Sequence, residues 1–348
     1  MNTEIRRTDL RNLSEKELAE INSVLHQSEE ATIFHTIEWN QLLIDYYGLQ
    51  HTVFIAFVED EPVGYYVYYD FEDKTYRSPA VHLQSTYGGP VVVNGNTNAV
   101  VELLRACERV HPTAYFQIWS APNVNPAPFS ICGYDVQNLS TPVIQLNCSE
   151  SELWSGVHRK KRTSINKAKR LGAVVEEAGI NNLETYHKMV SDTLAKDEVS
   201  SLPIDYLRRI LECLVPLGLA RFFLVRYQDK VISGAIVLYY KKNVYGWDMG
   251  WRREYSNLSP NDLLNWEVAR EASRIGYEKF DLLRFEPDRL PGIAKWKERF
   301  GVEIIPCYYF RKATLALRLT RTVKIMVTDP QRALKKIVSV FRKTTDNE

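Results

Sequence analysis

The stretch that decides the fold is YSNLSPNDLLNWEVAREASRIGYEKFDLLRFEPDRLPGIAKWKERFG, residues 255–301. Ser259-Pro260 predicts a helix start, because a proline in the first turn gives up an N–H that has no helical partner there. Leu263, Leu264, Val268 and Ala272 follow at helical spacing, and Gly276 ends the element. Phe280, Leu282 and Leu283 then read as a short apolar strand with Asp281 and Arg284 at its C-terminal end. A basic-aromatic loop follows, carrying Trp296-Lys297 and Phe300-Gly301. Open α/β sheets bind ligands just beyond such strand ends, so chemistry is expected here.

The same order of elements occurs earlier in the chain. FIAFVEDEPVGYYVYY (54–69) and FFLVRYQDKVISGAIVLYY (222–240) each read as a strand, a short charged turn and a second strand entered near a glycine, Gly64 or Gly234. AVVELLRACERV then precedes AYFQIWSAP as LLNWEVAREASRIG precedes EKFDLLRFEP. Hairpin, further strand, helix and strand thus recur about 165–170 residues apart (54 against 222 for the hairpins). Amphipathic helices are expected at 13–25, capped by Ser14, and around 37–43. NCSESEL (147–153) reads as a linker running into a helix cap, which places a boundary near 147. The expected organisation is an α/β chain of two tandem units, 1–147 and 148–310, with a basic helical tail at 311–348.

The composition is that of an ordinary globular protein, with 45% hydrophobic and 25% charged residues. Five cysteines form no CxxC pair, so reduced thiols are expected and no metal is called for. The charged N-terminus lacks the apolar core of a signal peptide, and no window approaches the ~18 apolar residues of a membrane span, so a cytoplasmic location is expected. Net charge is +1 but uneven: ten Lys/Arg against three acids from Arg311 onward give the tail +7 and leave the body −6. Ala333, Leu334, Ile337, Val338 and Phe341 lie on one face of the last expected helix. That pattern suits an anionic membrane surface, and equally a helix packed on the body with its cations in water.

The chain resembles the Fem-type aminoacyltransferases, the peptidoglycan interpeptide-bridge enzymes, and related acetyltransferase-like domains of the GNAT superfamily. The likeness is carried by Phe34-x-x-x-x-Trp39, Tyr87-Gly88-Gly89-Pro90, Trp154…Arg159-Lys160-Lys161-Arg162…Ile165…Lys169-x-x-Gly172 and Leu258-Ser259-Pro260…Leu263-Leu264-x-Trp266. It continues through Gly276…Phe280-Asp281 and Gly292-Ile293-x-x-Trp296-Lys297-x-x-Phe300-Gly301, so it covers about residues 30–310 in order. The resemblance implies two tandem GNAT-like domains. It also implies transfer of an acyl group, typically an amino acid from aminoacyl-tRNA, onto an amine of a phosphorylated or lipid-linked cell-wall precursor. Two departures stand out. The family has Phe-Lys where this chain has Trp296-Lys297, and it often carries an acid shortly after the Gly-Pro, where this chain has Val91-Val92-Val93-Asn94.

An acyl-CoA donor calls for a glycine-rich loop that brings backbone N–H groups to the pyrophosphate, and Arg253-Glu254-Tyr255-Ser256-Asn257-Leu258 has no glycine. A standard acyl-CoA site is therefore disfavoured; the resemblance implies aminoacyl-tRNA, the donor stays open between aminoacyl-tRNA and acyl-CoA, and no bound cofactor is expected. The resemblance makes Lys297 the residue that stabilises a developing oxyanion; a solvated lysine beside Lys295, Glu298 and Arg299 is the alternative. Asp248 and Asp281, on strands flanking the expected site, are candidates to take the proton of the attacking amine, or structural acids paired with Arg252 or Arg284. Arg159, Arg162 and Lys169 fall broadly together on a basic helix and are expected to hold phosphates of tRNA or of a nucleotide headgroup. Tyr87, Tyr255, Asn257, Ser259 and Trp296 complete the expected substrate contacts. The rival readings are an acyl-CoA-dependent N-acetyltransferase acting on an amino sugar or glycan precursor, and a non-catalytic scaffold that binds RNA or membrane.

Overall fold

The computed structural model describes residues 3–70, 86–112, 115–195, 200–283 and 285–313. The first run of elements is β1 (Glu4–Thr8), α1 (Glu15–Gln27), α2 (Ile37–Tyr47), β2 (Gln50–Val58), β3 (Glu61–Asp70), β4 (Val91–Val92), α3 (Thr97–Val110), β5 (Tyr115–Trp119), α4 (Ala127–Ile131) and β6 (Asp135–Gln145). Two connecting helices follow, α5 (Glu150–Gly156) and α6 (Arg159–Arg170). The second run is β7 (Val174–Glu177), α7 (Leu183–Leu194), α8 (Ile204–Leu214), β8 (Ala220–Tyr227), β9 (Lys230–Tyr240), β10 (Asn243–Trp251), α9 (Pro260–Arg274), β11 (Lys279–Asp281), α10 (Pro291–Glu298) and β12 (Glu303–Ala313). Both runs read β-α-α-β-β-β-α-β-α-β. The duplication expected from the hairpins therefore extends from end to end of each unit.

Local chemistry sets the element boundaries. Ser14 and Glu17 form a reciprocal capping box at the start of α1, and Ser149 and Glu152 do the same for α5. The hairpin turns Glu59-Asp60 and Gln228-Asp229 hold both central residues at positive φ, the geometry that matches the twist of antiparallel strands. The expected loop around Trp296-Lys297 is instead helix α10. Pro291 occupies its first turn, and its Trp296 packs edge-on against Phe300, just past its end.

The strands form a four-stranded sheet, β1-β2-β3-β4, and an eight-stranded sheet, β5-β12-β6-β11-β10-β9-β8-β7. The order of the larger sheet records an exchange. The last strand of the second unit, β12, pairs with β5 of the first, and the last strand of the first unit, β6, pairs with β11 of the second. The exchanged strands lie antiparallel to each other over most of their length, from Glu303 opposite Val143 to Arg311 opposite Asp135. A second joint is apolar: Trp39 of α2 meets Trp247 of β10 edge to face at 5.6 Å, in a core shared with Ile33, Tyr186 and Tyr206. Each fully buried ring of this kind contributes roughly 1.5–3 kcal/mol. Lys241, in the β9–β10 turn, donates to the carbonyls of His26 and Ser28 and so closes the end of α1.

Residues 311–313, counted with the tail in the sequence, belong to β12; the amphipathic helices expected beyond them lie outside the described residues. Among the described residues no helix is long and apolar enough to cross a membrane.

Gly301 ties α10 to the connecting helices. It sits at φ +73°, and a Cβ there would come within 2.5 Å of the Gly156 carbonyl oxygen. Gly301→Ala is expected to destabilise the protein by more than about 2 kcal/mol. Gly276→Ala, at φ +93° with open space around it, carries the backbone strain alone and should cost about 1–2 kcal/mol. Thermal melts of both variants check this; equal shifts would show that the Gly156 contact is immaterial.

Candidate active site

The site begins where two parallel strands part. β10 and β11 run side by side from Asn243 opposite Lys279 to Tyr245 opposite Asp281. β11 ends there, whereas β10 passes through a bulge between Gly246 and Asp248 and continues along β9 to Trp251. The gap opens at the C-terminal end of β11, where an open α/β sheet is expected to bind ligands, although Asp281, Leu282 and Leu283 are themselves buried. The first unit splits at the equivalent place more completely: β4 stays in the small sheet and β5 joins the large one.

A cavity of about 430 Å³ occupies that second split, with walls that include Phe34, Tyr65, Tyr87, Gln117, Trp119 and Tyr309. Glu286 and Arg289, from the loop after β11, line it as well, so both units contribute. Its mix of rings and a few polar groups is typical of a small-molecule site. The Gly88 N–H donates to the Trp119 carbonyl at 2.7 Å, which fixes the Tyr87–Gly89 strip against β5. His35 backs the strip; burial pushes its pKa down to about 4, and its Nδ1 accepts from the Thr32 N–H, so the ring is neutral.

Tyr87 connects the cavity to the split of the second unit, between β10 and β11. Its hydroxyl donates to Asp281 Oδ2 at 2.7 Å. Asp281 Oδ1 accepts from Thr141 Oγ1 at 2.5 Å and from the Leu283 N–H at 2.8 Å. Burial raises the Asp281 pKa above the ordinary carboxylate value, opposed by these hydrogen bonds and by the charge of Lys297. The Lys297 ammonium donates to the carbonyls of Leu282 (2.8 Å) and Leu283 (2.5 Å), and the residue is half-buried. Lys297 thus faces inward beside Asp281 and not into bulk water.

Other expected residues separate from this group. Asp248 accepts from the Tyr186 hydroxyl at 2.7 Å, so its contacts are with α7. The sequence pairs Trp296 with Lys297, but successive residues of a helix diverge by about 100°. Trp296 turns away, and its indole N–H donates to Asp262 Oδ1 at 2.7 Å. Lys161 also donates to Asp262 Oδ1 at 2.7 Å, with its ammonium 3.9 Å from the Phe300 ring centre. Lys161 is thereby buried where the sequence pointed it away from the basic group, because 161, 165 and 168 form the face of α6 that packs inward. Lys169 is paired with Glu267 at 2.6 Å. Arg159 is exposed and Arg162 half-buried on α6.

Tyr255, Asn257 and Ser259 lie in the turn before α9. Tyr255 packs edge-on to Tyr227, the Asn257 carbonyl accepts from Lys167 Nζ at 3.0 Å, and Ser259 sits at φ +47°. Sequence reading missed Thr141, Asp262 and the left-handed Leu283 (φ +51°). Among the described residues no group of three His, Cys, Asp or Glu is arranged to hold a metal.

Residues 155–298 match the family model described as acetyltransferase (GNAT) domain. No curated protein matches the chain. Among solved structures, FemX shares the fold with a TM-score of 0.68 at 12% identity, over 87% of this chain and 96% of its own. L-PGS from Bacillus licheniformis gives 0.54 at 13% identity, over 89% and 95%. A tandem GNAT protein from the clavulanic acid biosynthesis pathway gives 0.53 at 11% identity, over 89% and 98%. The chain thus shares the fold of FemX and of a tandem GNAT protein, in keeping with the sequence resemblance. Over residues 155–298 the domain match supports acyl transfer as the class of chemistry.

The Lys161 joint has a pH signature. Burial outweighs the attraction of Asp262 and brings its pKa down from 10.5 to about 8. Between about pH 8 and 10.5 the unfolded chain binds the extra proton, so this group makes the protein more stable as pH rises through that window. Relative to Lys161→Met, the wild type should gain about 2–3 kcal/mol from pH 8 to 10.5. Urea unfolding of both proteins at several pH values reads the difference, and parallel curves would contradict it.

Proposed function

We propose that the protein is a Fem-like N-acyltransferase that moves an aminoacyl group from aminoacyl-tRNA onto an amine of a phosphorylated or lipid-linked cell-wall or cell-surface precursor. The observation that carries this reading is the line Tyr87–Asp281–Lys297, which joins the cavity of the first unit to the strand split of the second. The acceptor amine approaches from the cavity side and the acyl ester lies at the split. The amine nitrogen forms the new C–N bond, the ester C–O bond breaks, and the amine proton ends on the departing ribose oxygen. Lys297 faces the carbonyl oxygen that carries negative charge in between.

The turn before α9 supports a donor other than acyl-CoA. A pyrophosphate needs free backbone N–H groups at a helix start. Here the Ser259 N–H donates to Ser256, Pro260 has none, and the Asp262 N–H donates to Ser259. Beside this turn runs α6 with Arg159, Lys160, Arg162 and Arg170, cations suited to a nucleic-acid backbone. The setting would be the cytoplasmic side of the membrane, with the basic tail at its inner face, and the two units dividing near residue 147. A second reading, acyl-CoA-dependent N-acetylation of an amino sugar or glycan precursor, is favoured by the acetyltransferase domain match over 155–298.

Mass spectrometry of amine acceptors incubated with the protein, comparing charged tRNA with a panel of acyl-CoAs, separates the two donors. Lys297→Ala should lower kcat by about 10²–10³-fold with the better donor, while KM changes far less. Unchanged turnover would remove Lys297 from the chemistry.

A further inference from the structure

A buried carboxylate beside a cleft invites assignment as a general base, and Asp281 was a candidate on its sequence position. Its surroundings favour another task. Thr141 and the Leu283 N–H occupy Oδ1, Tyr87 occupies Oδ2, and the residue is only 4% exposed. Three of the roughly four lone-pair directions of a carboxylate are therefore filled by donors. A base in this setting would have one direction left for a substrate proton, on a side chain almost wholly buried.

The Leu283 contact is the instructive one. At φ +51° its backbone is left-handed, a region that non-glycine residues seldom adopt without outside support. That twist gives the Leu282 and Leu283 carbonyls to the same ammonium, Lys297 Nζ. We propose that Asp281 is a positioning residue: by holding the Leu283 N–H it keeps the two carbonyls gripping Lys297, and Thr141 and Tyr87 of the first unit hold Asp281 in turn. Thr141 lies on β6, the strand the first unit lends to the second. The placement of Lys297 in the second unit is thus set by residues of the first.

The catalytic side of this inference rests on the reading of Lys297 given above; its geometric side does not. Two measurements keep them apart. Acetylation by N-hydroxysuccinimide acetate, followed by mass spectrometry, reports how firmly Lys297 is held, with exposed Lys295 on the same helix as internal reference. Thr141→Val, which keeps the side-chain shape, and Asp281→Asn should each raise the Lys297-to-Lys295 reactivity ratio about threefold or more. An unchanged ratio in Thr141→Val, a variant with little reason to misfold, overturns the proposal even if Asp281→Asn fails to fold. In the acyl-transfer assay Thr141→Val should lower kcat about tenfold, with KM within about twofold and the shape of the pH profile kept. Loss of the acidic limb in Asp281→Asn, with Thr141→Val at full kcat, would make Asp281 the base and overturn the positioning role. A raised reactivity ratio without transfer from any donor would uphold the grip on Lys297 and remove the transferase reading alone.

Discussion

The structure depends on the antiparallel contact between β6 and β12. Each of these strands closes the sheet of the other unit, so neither unit has a complete sheet without its partner. Backbone pairing of this kind leaves little tolerance, since a slip of one residue would send every side chain to the opposite face. The register that places Ile144 opposite Phe280 also places Val143 opposite Asp281, and Thr141, two residues further along, brings its hydroxyl to that carboxylate. Strand exchange therefore does more than hold the units together. It delivers a polar group of the first unit to the end of β11, where the second unit opens.

Duplication followed by exchange also accounts for the unequal fates of the two splits. In the second unit the split is narrow: β10 and β11 remain paired for three residues before the bulge at Gly246–Asp248 carries β10 away. In the first unit β4 and β5 belong to different sheets, and the wider opening becomes a cavity with rings on its walls. Tyr87 spans the distance from that cavity to Asp281 at the end of β11.

The hairpins, the capped helices and the repeat were legible in the sequence because each is encoded locally. Alternation over 54–69 and 222–240, serines three residues before glutamates, and Pro260 all act within a few residues of themselves. The exchange was not legible, since nothing in the pattern of β6 or β12 names a partner more than a hundred residues away. Helix α10 was hidden for a different reason. Pro291-Gly292 resembles a turn, and the run Lys295–Arg299 offers only Trp296 as a large apolar side chain. Lys161 sat in an unbroken basic run, where charge gave no sign that it is buried. Its alignment with Ile165 and Ala168 at four and seven residues was the available sign that this face turns inward. Thr141 carried no sign, because its role exists only once the register of β6 is known.

The way Lys297 is held bears on what it can do. The Leu282 and Leu283 carbonyl oxygens orient the ammonium and satisfy part of its hydrogen bonding. Asp281 stands one step behind, linked to Lys297 through the backbone of Leu283 and kept apart from the cleft by its own three donors. The burial that raises its pKa is only partly offset by those donors and by the nearby ammonium. Such an arrangement keeps a fixed positive charge oriented before any substrate arrives. Electrostatic catalysis gains most from that condition, because the field then needs no reorganisation as the oxyanion forms.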